Sequence, residues 1–235
     1  MKIGVFDSGM GGKTVLAAIQ EKLPEEEYIY VGDSKNCPYG EKTLEELQRI
    51  VSGIAEGLIR EGAKIIVVAC NTATTQTIGF LRETFPSVPF VGTEPAIKKA
   101  CDESSEKAKI VLLATEGTAR APRTFQLIKN NKKPKQKVKV IPCPGLAKAI
   151  EKSLSKGEKS SGMSELSSAL KILEKQGSDE VEAVVLGCTH YPLIREQIQR
   201  FFPKARLIDG GEGVAKEVER IVRETRQKET KSEER

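Results

Sequence analysis

Two kinds of segment alternate along most of this chain. Short apolar runs rich in β-branched residues, typical of strands buried on both faces of a parallel sheet, alternate with longer segments whose apolar residues recur at helical spacing. The predicted strands are 2–6, 28–31, 65–69, 89–92, 110–114, 138–141, 181–186 and 206–209. The predicted helices are 14–23, 44–60, 74–85, 163–176, 194–202 and 213–223, with one more opening at Glu94-Pro95 and one carrying Glu151.

This alternation occurs in both halves and predicts an α/β fold of two pseudo-symmetric, doubly wound parallel-sheet domains, with the active site in the cleft between them. The first domain is expected to comprise residues 1–95, with 208–225 providing a C-terminal helix that packs back on it. Residues 96–207 form the second domain. The Ser-, Lys- and Gly-rich stretch 153–162 is expected to be mobile, and 226–235, which lacks apolar residues, is expected to be a disordered tail.

Charge and composition narrow the class of protein. The net charge of +5 comes from 38 basic and 33 acidic side chains, a balance that does not favour a nucleic-acid partner. Lysines cluster between residues 129 and 139 without an aromatic residue that could stack on a base, which favours a solvated loop. The sequence shows no signal segment or membrane-spanning run, and its 5 cysteines lack close pairing. A cytoplasmic protein with reduced thiols and no membrane association is therefore expected.

Two cysteines follow predicted strands in matching contexts, one in each half of the chain. Cys70 follows strand 65–69 and Cys188 comes shortly after strand 181–186, each before a small polar residue. The carboxyl ends of parallel strands form the edge where ligands bind, and a following helix presents its N–H groups to anions. Cys188 lies two positions before His190, the only histidine in the chain. Asp7, at the end of the first strand, is expected beside Cys70.

Paired thiols on opposite walls of a cleft suit the inversion of a stereocentre. One thiolate removes a proton from carbon while the opposite thiol returns a proton to the other face. Because a free cysteine has a pKa of about 8.5, each thiol needs a helix amino terminus or an acid–base neighbour to react near neutral pH. His190 is placed to serve Cys188, and Asp7 to serve Cys70.

Other interpretations of these residues remain open. Cys188 with His190 alone would suit a cysteine hydrolase, which forms a covalent acyl intermediate and does not need Cys70. A metal site is disfavoured by the Cys-x-His spacing and the lack of a second histidine. Gly12-Lys13-Thr14 resembles the end of a phosphate-binding loop, but Asp7 stands where that motif requires glycine. Buried cysteines are often inert, and the fold could also serve a binding protein without turnover.

Several motifs occur together and in order. They are Phe6-Asp7-Ser8-Gly9-Met10-Gly11-Gly12, Gly32-Asp33 with Pro38-Tyr39-Gly40, Ala69-Cys70-Asn71-Thr72-Ala73, Glu94-Pro95 and Leu186-Gly187-Cys188-Thr189-His190-Tyr191-Pro192. With them the chain resembles the bacterial glutamate racemases of the aspartate/glutamate racemase family over residues 2–222. The resemblance implies a cofactor-independent enzyme, commonly a homodimer, that interconverts L- and D-glutamate and supplies D-glutamate for peptidoglycan. A racemase of aspartate or another small acidic amino acid is the nearest alternative.

The same resemblance assigns roles to individual residues. Cys70 is expected to deprotonate D-glutamate with the help of Asp7, and Cys188 to deprotonate L-glutamate with the help of His190. Glu151 falls where the family places a further carboxylate near the second thiol. The residues expected to hold the substrate are Asp7, Ser8, Pro38, Tyr39, Gly40, Asn71, Thr72, Thr115, Thr118, Thr189 and His190. Neither a metal nor a cofactor is implied.

Overall fold

The computed structural model describes residues 1–154, 159–176 and 180–233 and contains two four-stranded parallel sheets. The first, in the order β2-β1-β3-β4, consists of β1 (Lys2–Asp7), β2 (Glu27–Gly32), β3 (Ile65–Val68) and β4 (Phe90–Gly92). The second, in the order β6-β5-β7-β8, consists of β5 (Lys109–Ala114), β6 (Lys137–Pro142), β7 (Val181–Gly187) and β8 (Arg206–Ile208). The two sheets share one strand order, and the predicted fold class is confirmed.

Helices cover both faces of each sheet. They are α1 (Lys13–Lys22), α2 (Leu44–Arg60), α3 (Asn71–Thr84), α4 (Ile97–Asp102), α5 (Glu116–Arg120), α6 (Pro122–Asn131), α7 (Leu146–Leu154), α8 (Lys159–Glu174), α9 (Arg195–Gln199) and α10 (Gly211–Glu233). Short 3-10 turns occupy Ser34–Asn36, Tyr39–Glu41 and Tyr191–Ile194. The residues of β3 are all fully buried between α2 and α3 on one face and α1 and α10 on the other.

Local sequence accounts for the boundaries of α2, which match the predicted ones. The Thr43 side chain accepts a hydrogen bond from the N–H of Glu46, and the Glu46 carboxylate accepts one from the N–H of Thr43, so the helix starts with a capping box. Apolar residues at helical spacing then bury one face of the helix, including Leu47 and Val51. Gly62, at φ +89°, adopts the left-handed conformation that follows the helix end.

Helix α3 begins at Asn71, three residues before its predicted start. This segment is rich in threonine, which lowers intrinsic helix propensity. Burial overrides that propensity. Thr75 and Thr77 are buried, and their hydroxyls donate hydrogen bonds to the carbonyls of Asn71 and Ala73 in the same helix. Cys70 therefore lies directly at the amino terminus of this helix.

Residues 129–139, predicted as a solvated loop, contribute to regular structure at both ends. Lys129 lies in the last turn of α6, a helix that the hydrophobic pattern did not predict, and Lys137 and Lys139 lie on the exposed side of β6. β6 is an edge strand of the second sheet, and exposed lysines on an edge discourage pairing with another chain.

The C-terminal helix is longer than expected. α10 packs Val214, Val218 and Val222 against the first sheet and continues through residues predicted to be disordered. Two interactions explain this difference. Arg226 is hydrogen-bonded to the buried carboxylate of Glu26, and i,i+4 ion pairs between residues 219 and 224 stabilise the turn that precedes it. Residues 234 and 235 lie outside the described residues.

The chain crosses between the two sheets twice, and the two crossings lie side by side. The first crossing runs from β4 to α4 and the second from β8 to α10. A Cβ atom added to Gly210, in the second crossing, would lie 3.0 Å from the carbonyl oxygen of Glu94 in the first.

The division into domains at residues 95 and 208 remains a proposal, and Ile208 itself pairs within the second sheet. Of the stretch expected to be mobile, 155–158 lie outside the described residues and 159–162 belong to α8.

Two leucines of α2 test its packing. Leu47 is fully buried, whereas the Leu44 side chain is 49% exposed. We expect Leu47→Ala to lower the free energy of unfolding by about 2–4 kcal/mol, because it leaves a cavity between α2 and the first sheet. Leu44→Ala should change it by less than about 0.5 kcal/mol. Urea denaturation followed by circular dichroism gives both values, and equal losses would contradict the observed orientation of the helix.

Candidate active site

The first half of the site lies where two central strands of the first sheet end. β1 and β3 pair through Phe6 and Val68, which brings Asp7 at the end of β1 next to the segment that follows β3. Asp7 and Cys70 are both buried, and Cys70 is the N-cap residue of α3. The Cys70 sulfur lies 3.8 Å from the Ser8 hydroxyl oxygen. A buried thiol thus sits at a helix amino terminus beside a buried carboxylate.

The second half occupies the equivalent edge of the second sheet. β7 ends at Gly187, and Cys188 follows it directly. The Cys188 sulfur lies 3.7 Å from His190 Nδ1, and the other ring nitrogen, Nε2, lies 2.5 Å from Glu151 Oε2 on α7. His190 is only 1% exposed. The structure therefore connects thiol, imidazole and carboxylate in a row.

Hydrogen bonds between the domains join the two halves. The Thr189 hydroxyl donates to Asp7 Oδ2 over 3.3 Å. The N–H of Met10, in the turn after β1, donates to both carboxylate oxygens of Glu151 at 3.0 and 3.1 Å. The candidate site is therefore a contact between the two domains, at the place where the sequence predicts a cleft.

A cluster of threonine hydroxyls forms a further contact between the domains. Thr72 Oγ1, in the first turn of α3, lies 2.8 Å from Thr115 Oγ1 and 3.2 Å from Thr118 Oγ1 in the second domain. Thr115 is the N-cap of α5 and accepts a hydrogen bond from the N–H of Thr118. Such hydroxyls can turn to donate to an anion, which makes the cluster suitable for binding a carboxylate.

Burial dominates the electrostatics of the first half. Desolvation raises the pKa of Asp7, although the nearby His190 and the N–H of Gly12 act in the opposite direction. Burial also raises the pKa of Cys70 well above its ordinary value, and the Asp7 carboxylate raises it further, while the N–H of Ala73 opposes this change. Cys70 is therefore a neutral thiol near neutral pH in this structure.

Charge pairing dominates the second half. Burial alone would lower the pKa of His190, but its hydrogen bonds with Cys188 and Glu151 outweigh burial and raise it well above the ordinary value. Burial would raise the pKa of Glu151, yet its interactions with His190 and the N–H of Met10 lower it. An imidazolium thus lies between a carboxylate and the Cys188 sulfur, in contrast to the neutral thiol of the first half.

Most of the predicted substrate residues lie at this contact, but two direct their polar groups elsewhere. The hydroxyl of Tyr39 donates to Asp33 Oδ2 over 2.9 Å, and its ring is buried in the apolar cluster between α2 and the first sheet. The side-chain amide of Asn71 donates to the carbonyl of Thr93 over 3.0 Å. Pro38 and Gly40 are half-buried, and Gly40 lies against Thr115 across the domain contact.

Sequence reasoning missed one side chain at the site. The Ser34 hydroxyl, just after the carboxyl end of β2, donates to Glu151 Oε1 over 3.3 Å. Its position after Gly32-Asp33, at the edge shared with Asp7, was the available signal. The backbone donor on Met10 has no such signal, because every residue except proline carries an N–H group.

The structure also bears on the alternative sites. Within residues 1–154, 159–176 and 180–233, no group of three or more His, Cys, Asp or Glu side chains is arranged to hold a metal ion. The N–H of Gly12 donates to Asp7 Oδ2 over 2.6 Å, so a side chain takes the place that a phosphate would occupy in a phosphate-binding loop. No helix within the same residues is long and apolar enough to cross a membrane.

The fold and site define a class of protein with two α/β domains, each contributing a buried cysteine and its titratable neighbour to the contact between them. A family model described as Asp/Glu/hydantoin racemase matches residues 10–218. The chain belongs to this racemase family.

Individual relatives agree with this assignment. The glutamate racemase of Clostridium acetobutylicum is 41% identical over 219 residues, which cover 93% of this chain and 82% of that protein. The solved structure of Escherichia coli glutamate racemase with L-glutamate and an activator has 33% identity and a TM-score of 0.81, covering 92% of this chain and 80% of that one. Francisella tularensis glutamate racemase with D-glutamate has 28% identity and a TM-score of 0.76, covering 96% and 82%. The resemblance to glutamate racemases is confirmed.

The single histidine allows a direct test of the charge pairing. We expect the imidazole of His190 to titrate in NMR spectra with a pKa above the ordinary 6.5. Glu151→Gln should lower this pKa, because it removes a negative charge next to Nε2. Glu182→Gln, on the opposite end of β7, should leave it unchanged. An unaltered pKa in Glu151→Gln would contradict the proposed role of the contact.

The same pairing predicts how stability depends on pH. Because the native pKa of His190 is raised, its contribution to stability is fully present below the pKa of the unfolded chain and is lost as pH rises through the native pKa. The free energy of unfolding should therefore fall over that interval, and it should fall less steeply in Glu151→Gln. Denaturant titrations at a series of pH values measure this, and identical slopes would argue against the coupling.

Proposed function

We propose that this racemase interconverts L- and D-glutamate through two bases, Cys70 and Cys188, acting on opposite faces of the α-carbon. One observation carries the proposal. Each domain contributes a buried cysteine with its own acid–base neighbour, and the hydrogen bond between Thr189 and Asp7 brings the two sets together. The relatives solved with L-glutamate and with D-glutamate support glutamate as the substrate.

The reaction from L- to D-glutamate proceeds in two proton transfers. The Cys188 thiolate takes the α-proton, and the electron pair of the broken C–H bond passes into the α-carboxylate. The Cys70 thiol then gives its proton to the opposite face, which leaves a Cys70 thiolate and a Cys188 thiol. The reverse reaction starts from that second form. Protons and electrons balance over the cycle, and the family resemblance supports the assignment of each cysteine to one enantiomer.

The protonation states of the two halves suit the first of these directions. The raised pKa of Cys70 keeps it a proton donor. The raised pKa of His190 keeps an imidazolium 3.7 Å from the Cys188 sulfur, where it can donate a hydrogen bond to that sulfur. After a turnover in this direction, Cys70 is a thiolate that must regain a proton and Cys188 is a thiol that must lose one. Asp7, whose pKa is raised by burial, is the group placed to return a proton to Cys70.

The threonine cluster provides a place for a substrate carboxylate. The hydroxyls of Thr72, Thr115 and Thr118, which bond to one another in this structure, would turn towards the carboxylate and replace those bonds. Ser8 and Thr189 lie beside the two thiols and would hold the rest of the amino acid. Asp33 fixes Tyr39, so Tyr39 would shape the site through its ring and its backbone.

The biological setting belongs to the same proposal. A cytoplasmic homodimer that supplies D-glutamate for peptidoglycan is what the resemblance to the bacterial family supports. The geometry of the site supports the chemistry independently of that setting.

Proton NMR in D2O tests the function. The α-proton signal of L-glutamate should disappear while the circular dichroism of the amino acid decays, because the proton returned to the opposite face comes from solvent. Cys70→Ser and Cys188→Ser should each lower the rate of racemisation by at least about 100-fold. Cys101→Ala, in α4 and outside the site, is the matched control and should keep activity.

Four outcomes would contradict this proposal. Exchange with aspartate or another small acid in place of glutamate would reject the substrate. Full activity in either serine variant would reject the two-base mechanism, and a requirement for Cys188 alone would favour the hydrolase. Tight binding of glutamate without exchange would indicate a protein that binds without turnover.

A further inference from the structure

Glu151 belongs to the second domain but is held by two elements of the first. The N–H of Met10 donates to both of its carboxylate oxygens, and the Ser34 hydroxyl donates to Oε1. The opposite side of the carboxylate faces His190 Nε2 at 2.5 Å. Glu151 is therefore the one carboxylate that connects hydrogen-bond donors of the first domain to His190 of the second.

The turn that carries Met10 fits against this pair because two of its residues lack side chains. A Cβ atom on Gly9 would lie 2.8 Å from both carboxylate oxygens of Glu151. A Cβ atom on Gly11 would lie 2.8 Å from the backbone nitrogen and from Nδ1 of His190. Contacts this short require the neighbouring atoms to move. At Gly11 those atoms include the backbone of His190, so a side chain there would displace the segment that carries His190.

The turn is also braced within the first domain. The Tyr30 hydroxyl donates to the carbonyl of Gly9 over 2.7 Å, so a side chain of β2 holds one end of the turn. The Thr14 hydroxyl donates to the carbonyl of Gly11 over 2.9 Å and supports the other end. The turn is thus a rigid surface that meets Glu151 and His190 at fixed positions.

We propose that Ser34 and the turn Gly9 to Gly11 are positioning elements for the Cys188 base: the first domain holds Glu151, and Glu151 orients His190. This inference rests on the proposed function. It means that the base of the second domain is fully assembled only when the first domain is docked against it. Proton abstraction from L-glutamate is thereby coupled to the contact between the domains.

Several titratable groups face this arrangement. Cys188 and Asp7 face His190, and Tyr30 and Cys37 lie within the electrostatic reach of Glu151. Of these, Cys188 belongs to the second domain and the other three to the first. Replacing Ser34 changes none of these charges, so its effect reports on hydrogen bonding to Glu151 rather than on a lost ionisable group.

Isotope effects separate a positioning role from a structural one. The two enantiomers are equally stable in solution, so any variant must change kcat/KM equally in both directions. The primary deuterium isotope effect on kcat/KM is free of this constraint and can change differently for the two enantiomers. If proton transfer at Cys188 becomes slower, the isotope effect on kcat/KM rises with α-deuterated L-glutamate and falls with α-deuterated D-glutamate.

We expect Ser34→Ala to lower kcat/KM about fivefold, in keeping with the loss of one hydrogen bond to a charged group, and to shift the two isotope effects in these opposite directions. Ser34→Thr keeps the hydroxyl and should remain within about twofold of the parent enzyme. Ser87→Ala, an exposed serine of the same domain, is the matched control. Unchanged isotope effects in Ser34→Ala, or parallel changes in both directions, would overturn the proposal.

A glycine pair gives a second, independent test. Gly11→Ala should prevent the turn from reaching Glu151 and lower the pKa of His190 measured by NMR. Gly53→Ala, in α2 with open space around it, should leave that pKa unchanged. A parent-like His190 pKa in Gly11→Ala would overturn the proposed role of the turn. Because this measurement needs no substrate, it stands even if the parent chain fails to exchange the α-proton of glutamate, which would reject the proposed function alone.

Discussion

The contact between the partly buried Glu151 carboxylate and the buried His190 imidazole is the interaction on which this site depends. Two ionised groups removed from water are unfavourable unless each has good hydrogen-bond partners. Here the partners come from both domains, with Met10 and Ser34 on one side and Cys188 on the other. The cost of burying the charges is therefore offset only where the domains meet, which links folding of each domain, their docking and the chemistry of one thiol.

The two domains share one strand order but place different types of residue next to their cysteines. In the first, a carboxylate lies beside Cys70 in a fully buried environment that keeps the sulfur protonated. In the second, an imidazolium lies beside Cys188. A reaction that interconverts mirror images needs one donor and one acceptor at any moment, and the structure provides this difference through the type of neighbouring residue rather than through the fold.

Much of the fold follows from local patterns, as α2 illustrates with its capping box and apolar stripe. The exceptions have physical causes. The buried residue of α6 is the polar Thr124 and Phe125 is exposed, so the segment lacks the apolar stripe from which a helix could be predicted. The continuation of α10 beyond residue 225 includes a tertiary contact of Arg226 with Glu26, which does not appear in hydrophobic spacing.

The candidate site was predictable to a similar extent. Asp7 and Cys70 were expected together because neighbouring parallel strands end at one edge, and Cys188 and His190 because they are close in sequence. The structure adds how these residues connect across the domain contact. Ser34 escaped notice because its partner lies 117 positions away, on a helix of the other domain. Pairings of this kind depend on how two folded domains dock, which the hydrophobic pattern of a single segment does not show.

The two neighbouring chain crossings determine how the domains are joined. Connections set far apart fix the relative orientation of two bodies at two places, whereas adjacent connections fix it at one. Here Gly210 in the second crossing lies close to the carbonyl of Glu94 in the first. A Cβ atom at position 210 would crowd that oxygen, so a larger residue would push the two crossings apart. The glycine therefore lets both connections pass through one narrow junction, the place about which any relative rotation of the domains would have to occur.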